Sequence, residues 1–118
     1  MRRKNIVDLY ENLAAEERTG VIWALEQSGD LNVNLVKFPV GEGVEEHVNE
    51  EVDVLFVGVA GSGVVAVDGQ EHRLRAGKVA FVPKGARRTT RSGSADFAYL
   101  TVHRRRGPLR IGSLPTSG

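Results

Sequence analysis

The sequence predicts an all-β barrel or sandwich preceded by one short helix, on three observations. Apolar residues recur at helical spacing only near the start, at Ile6, Leu9, Tyr10 and Leu13. Beyond Gly20 the chain divides into short runs rich in Val, Leu, Phe and Thr, the residues that suit a pleated, half-buried surface. Turn-forming pairs such as Asp68-Gly69 and Ala76-Gly77 separate those runs.

The helix is expected over 5–17. Asn5 is placed to cap it, Asp8 falls in the first turn where negative charge is favoured, and Thr19-Gly20 ends it. Its apolar stripe would dock on the barrel or on a second subunit. Strands follow at 21–26 and 31–38, separated by the turn Ser28-Gly29-Asp30. Within 31–38, Leu31, Val33 and Leu35 alternate with Asn32, Asn34 and Val36, a half-buried pattern. Pro39 and the pair Gly41 and Gly43 interrupt the chain. Further strands are expected at 54–60, 63–67, 70–75, 78–82, 87–91 and 97–103. The barrel thus spans 21–104, and the small polar residues 111–118 form a loose tail.

At 118 residues the chain makes one domain, 1–118, able to bury about two-thirds of its unfolded surface unaided. It has no cysteine, which excludes disulfides, thiolate metal sites and cysteine nucleophiles. No apolar run reaches the ~18 residues of a membrane span, and the Met1-Arg2-Arg3-Lys4 start leads into no long apolar stretch. A cytoplasmic protein without membrane association is the expectation. The formal net charge of +1 conceals an asymmetry. Residues 1–60 carry 5 Lys/Arg against 12 Asp/Glu, and residues 61–118 carry 11 against 3. Two such halves can attract each other within one barrel or across a dimer. Nucleic acid is not the expected partner, because no aromatic residue interleaves Arg104, Arg105 and Arg106. Nucleophile elbows, P-loops, dinucleotide fingerprints and zinc-protease helices are absent.

Two segments carry a spacing of their own. In the first, Gly41 is followed by five residues and His47, with Asn49 two further on. Six residues then separate Val54 from Gly61. In the second, Gly77 is followed by five residues, Pro83, Gly85 and, after two more, Arg88, with Ser92 beyond. These segments resemble the paired motifs of the cupin superfamily over roughly residues 31–103. The resemblance implies a double-stranded β-helix, or jelly-roll, barrel with a short N-terminal helix. Its structural glycines and proline match, but its metal ligands mostly do not. Asn49 stands for the second histidine of the first motif, and Arg88 and Ser92 stand for the histidine and asparagine of the second. Val54, or Asp53 by a shorter count, stands for the glutamate. Gly61, Gly77 and Gly85 suit tight turns, and Pro83 ends a strand without needing a donor.

Side chains two apart on a strand share a face, so Glu45, His47 and Asn49 are expected to point together, as are Arg88 and Thr90. The resemblance implies that His47, Asn49 and Arg88 enter the barrel. A metal there would meet one imidazole, a neutral amide and a guanidinium that has no lone pair and repels cations. Three or more N/O ligands are usual for zinc or iron, so no metal or other cofactor is expected. A buried guanidinium needs a partner. Glu45 or Asp53 could supply it internally, or a small anionic or carbonyl-bearing ligand could be held by Arg88, with Asn49 and His47 hydrogen-bonding it. The expected binding residues are His47, Asn49, Arg88, Glu45 and Thr90. The function these residues suggest is a metal-poor cupin that binds a small polar or anionic ligand, as a sensor or carrier, and pairs as a homodimer. One alternative is an enzyme, either a metal-dependent dioxygenase or isomerase using His47 and Asp53 or a metal-free isomerase with His47 as acid and base. Another is an interaction module for a protein or nucleic acid. His72 is expected on an exposed strand position, His103 at a solvated strand end, and Trp23 in the core or a dimer contact.

Overall fold

Antiparallel pairing throughout builds two facing sheets in the computed structural model, which describes residues 5–105. After helix α1 (Leu9–Ala15) come β1 (Gly20–Ala24), β2 (Leu31–Lys37), β3 (Gly43–Val48), β4 (Val54–Ala60) and β5 (Ser62–Val67). The chain continues through β6 (Gln70–Arg75), β7 (Val79–Val82), β8 (Arg87–Ser92) and β9 (Ala98–Arg104). One sheet has the order β1-β2-β9-β4-β7 and the other β3-β8-β5-β6. This is the all-β arrangement that the spacing of turns predicts and the jelly roll that the resemblance implies. Residues 111–118, expected as a tail, lie outside the described residues. No helix among the described residues is long and apolar enough to cross a membrane.

The inward faces of the two sheets bury Val36, Val54, Phe56, Val65, Leu74, Val82, Phe97 and Tyr99 in one cluster. A second cluster lies around Ile22, Leu35 and Val59, with Leu9 and Leu13 of α1, Trp23 and Leu100 packed against it. The helix stripe therefore docks on the barrel, and Tyr10 Oη adds a hydrogen bond to the Val59 carbonyl (3.0 Å). Ile6, included in the expected stripe, is exposed.

The helix is shorter than the expected 5–17. Asp8, not Asn5, caps it, its Oδ1 accepting from the Glu11 amide at 3.0 Å. Asp8 and Glu11 have the spacing of a capping box, a start signal stronger than the lone Asn5. The motif glycines behave as turn residues: Gly61, Gly77 and Gly85 all take positive φ (60°, 88° and 86°). Pro83 directly follows β7.

Candidate functional site

Between the sheets lies a cavity of about 170 Å³. Its apolar wall comes from Val21, Val36, Phe38, Val44 and Phe56. Its polar residues are His47, Arg88, Thr89, Thr90, Tyr99 and Thr101, and among the described residues no acidic side chain lines it. His47 on β3 and Arg88 on β8 are direct cross-strand partners, so their side chains leave the sheet about 5 Å apart.

A bulge in β3 decides which residues face this space. Val44 pairs with Thr90 and His47 with Arg88, three steps on one strand against two on the other. The extra residue breaks the period of two. Val44 and His47 both face the cavity, while Glu45 and Glu46 are exposed. The expectation that Glu45 shares a face with His47 assumed a regular strand and is corrected: Glu45 is outside the cavity. Arg88 and Thr90 do point in together, and Arg87, one residue earlier, is exposed beside Asp68.

Asn49 also departs from its expected place. It is buried, but it lies beyond the end of β3 and does not line the cavity. Its Oδ1 accepts from the backbone amides of Glu51 (2.9 Å) and Val52 (3.3 Å), closing the turn into β4. Replacing Asn49 by Ala leaves both amides without that acceptor. A loss of about 1–3 kcal/mol is expected in chemical denaturation, and a variant as stable as wild type would show the turn closes without it.

The His47 ring is anchored to its own strand. Its Nδ1 lies 3.2 Å from the Glu45 carbonyl oxygen, which can only accept, so the neutral ring carries its proton on Nδ1. Nε2 is buried and without a hydrogen-bond partner. Opposite it, the Arg88 guanidinium carbon sits 5.3 Å from the centroid of the Phe56 ring, in cation–π range. Thr90 Oγ1 accepts from the Val44 amide at 3.0 Å and lies 3.4 Å from Tyr99 Oη. That hydroxyl pair uses one hydrogen between its members and leaves one for another acceptor.

Tyr99 is buried, stacked on Phe56 with ring centroids 5.3 Å apart. Burial pushes its phenol above the ordinary range, outweighing the Thr90 hydrogen bond and the Arg88 charge, which both pull it down. The folded protein thus holds this proton more tightly than the unfolded chain. Stability is unaffected below about pH 10, where both states are protonated, and falls as pH rises beyond it. Tyr99→Phe is expected to flatten that alkaline decline, as measured by urea titration on either side of the phenol's usual range. An unchanged slope would show that Tyr99 is not its source.

The donor set does not fit the metal that the family's motifs imply. His47 offers one nitrogen, Asn49 has committed its oxygen to a turn, and Val54 is part of the core. Asp53 is exposed, outside the cavity, with Oδ1 accepting from the Lys84 amide at 2.9 Å. His47 and Asp53 are therefore not brought together. No group of three potential metal-ligating side chains occurs among the described residues. EDTA is expected to leave the melting temperature unchanged, with substoichiometric metal by elemental analysis. Stoichiometric metal lost together with stability would overturn this.

The other sequence candidates fall elsewhere. His72 is exposed on β6, and His103 does not line the cavity. Arg104 and Arg105 donate to the carbonyls of Glu51 (3.0 Å) and Ser28 (2.9 Å). Sequence reasoning missed Phe56 and Tyr99 as site residues. The available signal was the shared parity of Tyr99 and Thr101 on β9.

Comparison with known proteins agrees with this architecture. The family model described as the cupin domain matches residues 34–103. A dimethylsulfoniopropionate lyase, DddW, from Ruegeria pomeroyi is 31% identical over 72 residues, covering 59% of this chain and 47% of the lyase. The chain thus spans about half the length of that curated relative. Among solved structures, TT1209 from Thermus thermophilus is 26% identical with a TM-score of 0.71, over 88% of this chain and all of that one. BH2720 from Bacillus halodurans reaches a TM-score of 0.74 at 18% identity, over 90% of this chain and 85% of its own. KdgF from a Halomonas species reaches 0.67 at 22% identity, over 72% and 77%. With motif glycines in their turns, two facing antiparallel sheets and a family match over most of the barrel, the chain belongs to the cupin family.

Proposed function

We propose that the barrel cavity binds a small organic anion with an apolar end, and that the domain acts as a sensor or carrier of it. The observation that carries this reading is the buried, unpartnered His47 Nε2 directly across the strand pair from Arg88. Arg88 supplies fixed positive charge and a planar fork of donors for a carboxylate. Phe56, Val36 and Val44 supply the apolar wall. A cavity of about 150 Å³ accommodates benzene, so the space suits a ligand of about six to eight heavy atoms.

A thermal-shift panel of short carboxylates, phosphates and sugars tests it, on wild type and Arg88→Ala. Carboxylates at ten times their dissociation constant should stabilise wild type by about 1.4 kcal/mol, a rise of several degrees. They should leave the variant's melting temperature unmoved. If no anion shifts wild type, and the ligand-free variant melts far lower, Arg88 is a structural residue and the reading fails.

The similarity to a dimethylsulfoniopropionate lyase favours a second reading, an enzyme acting on a related carboxylate. Arg88 would bind that carboxylate, and His47 Nε2 would take a proton from the substrate. Turnover of such substrates by wild type and none by His47→Gln would favour this reading over simple carriage.

A further inference from the structure

The outer face of the five-stranded sheet is apolar, and the chain covers only one end of it. Ladder pairs join Leu35 to Leu100, Leu100 to Val57 and Val57 to Val79, a single row across β2, β9, β4 and β7. Helix α1 packs over the Leu35 and Leu100 end. Leu35 is therefore 0% exposed, whereas Val79, at the far end of the same row, is 60% exposed. The next row runs from Val33 through Val102 and Leu55 to Phe81, which is 57% exposed. Strand β7 is thus apolar on both sides, with Val79 and Phe81 outward and Ala80 and Val82 at the core. That is the composition of a strand covered on both faces, yet β7 is an edge strand with its outer side bare. A flat apolar edge of this kind associates unless something covers it. The other sheet is built differently: its outward row sets Arg73 and Arg91 on either side of Val64.

We propose that a second copy of this chain covers the bare face, in a two-fold pairing that sets each copy's helix edge on the other's β7. The helix edge has the matching surface. Leu9 and Leu13 pack on their own barrel, while Ile6 and Tyr10 beside them stay 84% and 63% exposed. The charges match as well. Asp8 and Glu11 are exposed at the start of α1, and exposed Lys78 and Lys84 bracket β7. One chain carries both the acidic, apolar helix edge and the apolar strand between two lysines. A closed two-fold axis uses both surfaces twice and leaves neither over. The bare area around Leu55, Val79 and Phe81 is on the order of 400 Å², large for a lone chain. Ile6, Tyr10 and the charged rim bring it to the ~800 Å² per partner that a stable pairing buries.

Sedimentation velocity and light scattering on the full chain test the pairing. Wild type is expected to be a dimer at micromolar concentration. A monomer there overturns the proposal and gives the face to a different occupant. Ile6→Glu and Phe81→Glu should each raise the dimer dissociation constant about tenfold or more, because each buries an unpaired charge in the interface. Both positions are exposed in the single chain, so the circular dichroism of each variant should match wild type. Two controls should leave the dimer intact: Val40→Glu, in the connection from β2 to β3, and Arg73→Glu, on the other sheet. A dimer that survives both interface variants, or is lost in either control, uses another surface and overturns the assignment. Charge exchange tests the helix-to-strand contact itself. Lys78→Glu with Lys84→Glu should weaken the dimer, and adding Glu11→Lys should recover part of the loss. A further loss on adding Glu11→Lys overturns that contact. Should Phe81→Glu fail to fold, Ile6→Glu decides the matter.

Discussion

Replacing Gly58 by alanine is expected to cost about 3 kcal/mol or more of stability, and on the order of 10 °C in melting temperature. Gly58 is buried in β4 where that strand crosses the hairpin joining β6 to β7. Its amide donates to the Lys78 carbonyl at 2.8 Å, and its carbonyl accepts from the Gly77 amide at 3.1 Å. A Cβ added there would overlap the backbone carbonyl group of Arg75. A side chain could swing aside, but a carbonyl held in a sheet cannot, so the strand and the hairpin must separate. Gly69→Ala is the control: it has positive φ (82°), but a Cβ would meet nothing within 4 Å. Its cost should be near 1 kcal/mol. Circular dichroism melts of the two variants check the contrast, and a Gly58→Ala protein within about 1 kcal/mol of wild type would disprove the close approach.

The second large effect is at Phe56. One ring there serves three neighbours: it stacks on Tyr99, lies under the Arg88 guanidinium and forms cavity wall. Phe56→Ala should cost about 3–5 kcal/mol, since the ring is 2% exposed and its removal enlarges an existing void. Phe56→Leu keeps most of the volume and should cost less than about 1.5 kcal/mol. It nevertheless removes the π face under the guanidinium, worth about 1 kcal/mol, so carboxylate affinity should drop about fivefold. Denaturation and calorimetry on the same preparations separate the two roles. Equal stability losses in both variants, or full affinity in the leucine variant, would contradict them.

Much of the frame is legible in the residues because turns have strict backbone requirements. Gly61, Gly77 and Gly85 occupy positive-φ positions, and the spacing that places them also identifies β4, β7 and β8. Arg88 and Thr90 are readable for the same reason, lying on a regular strand. Sequence reasoning fails where a local hydrogen bond or an irregularity replaces the ideal period. The alternation of charged residues points Glu45 inward because a bulge leaves no mark in it. Asn49 reads as a barrel residue, although asparagine commonly turns back to its own backbone, as it does here toward Glu51 and Val52. Gly58 gives no signal, since the strand it meets is distant in sequence. Phe56 and Tyr99 read as ordinary core residues, and only the tertiary arrangement brings them to Arg88.

The bulge in β3 has a consequence for ligand competition. Two adjacent glutamates, Glu45 and Glu46, precede His47, and neighbours on a regular strand face opposite sides. A regular ladder through this segment would turn one of those carboxylates toward Arg88 at very high effective concentration, the protein's own tethered competitor. Any external anion would first have to displace it. One residue of slack in an edge strand keeps both carboxylates outside. Access of the proposed anion to Arg88 is therefore a matter of register as much as of composition, and two barrels with identical side chains could differ in it completely.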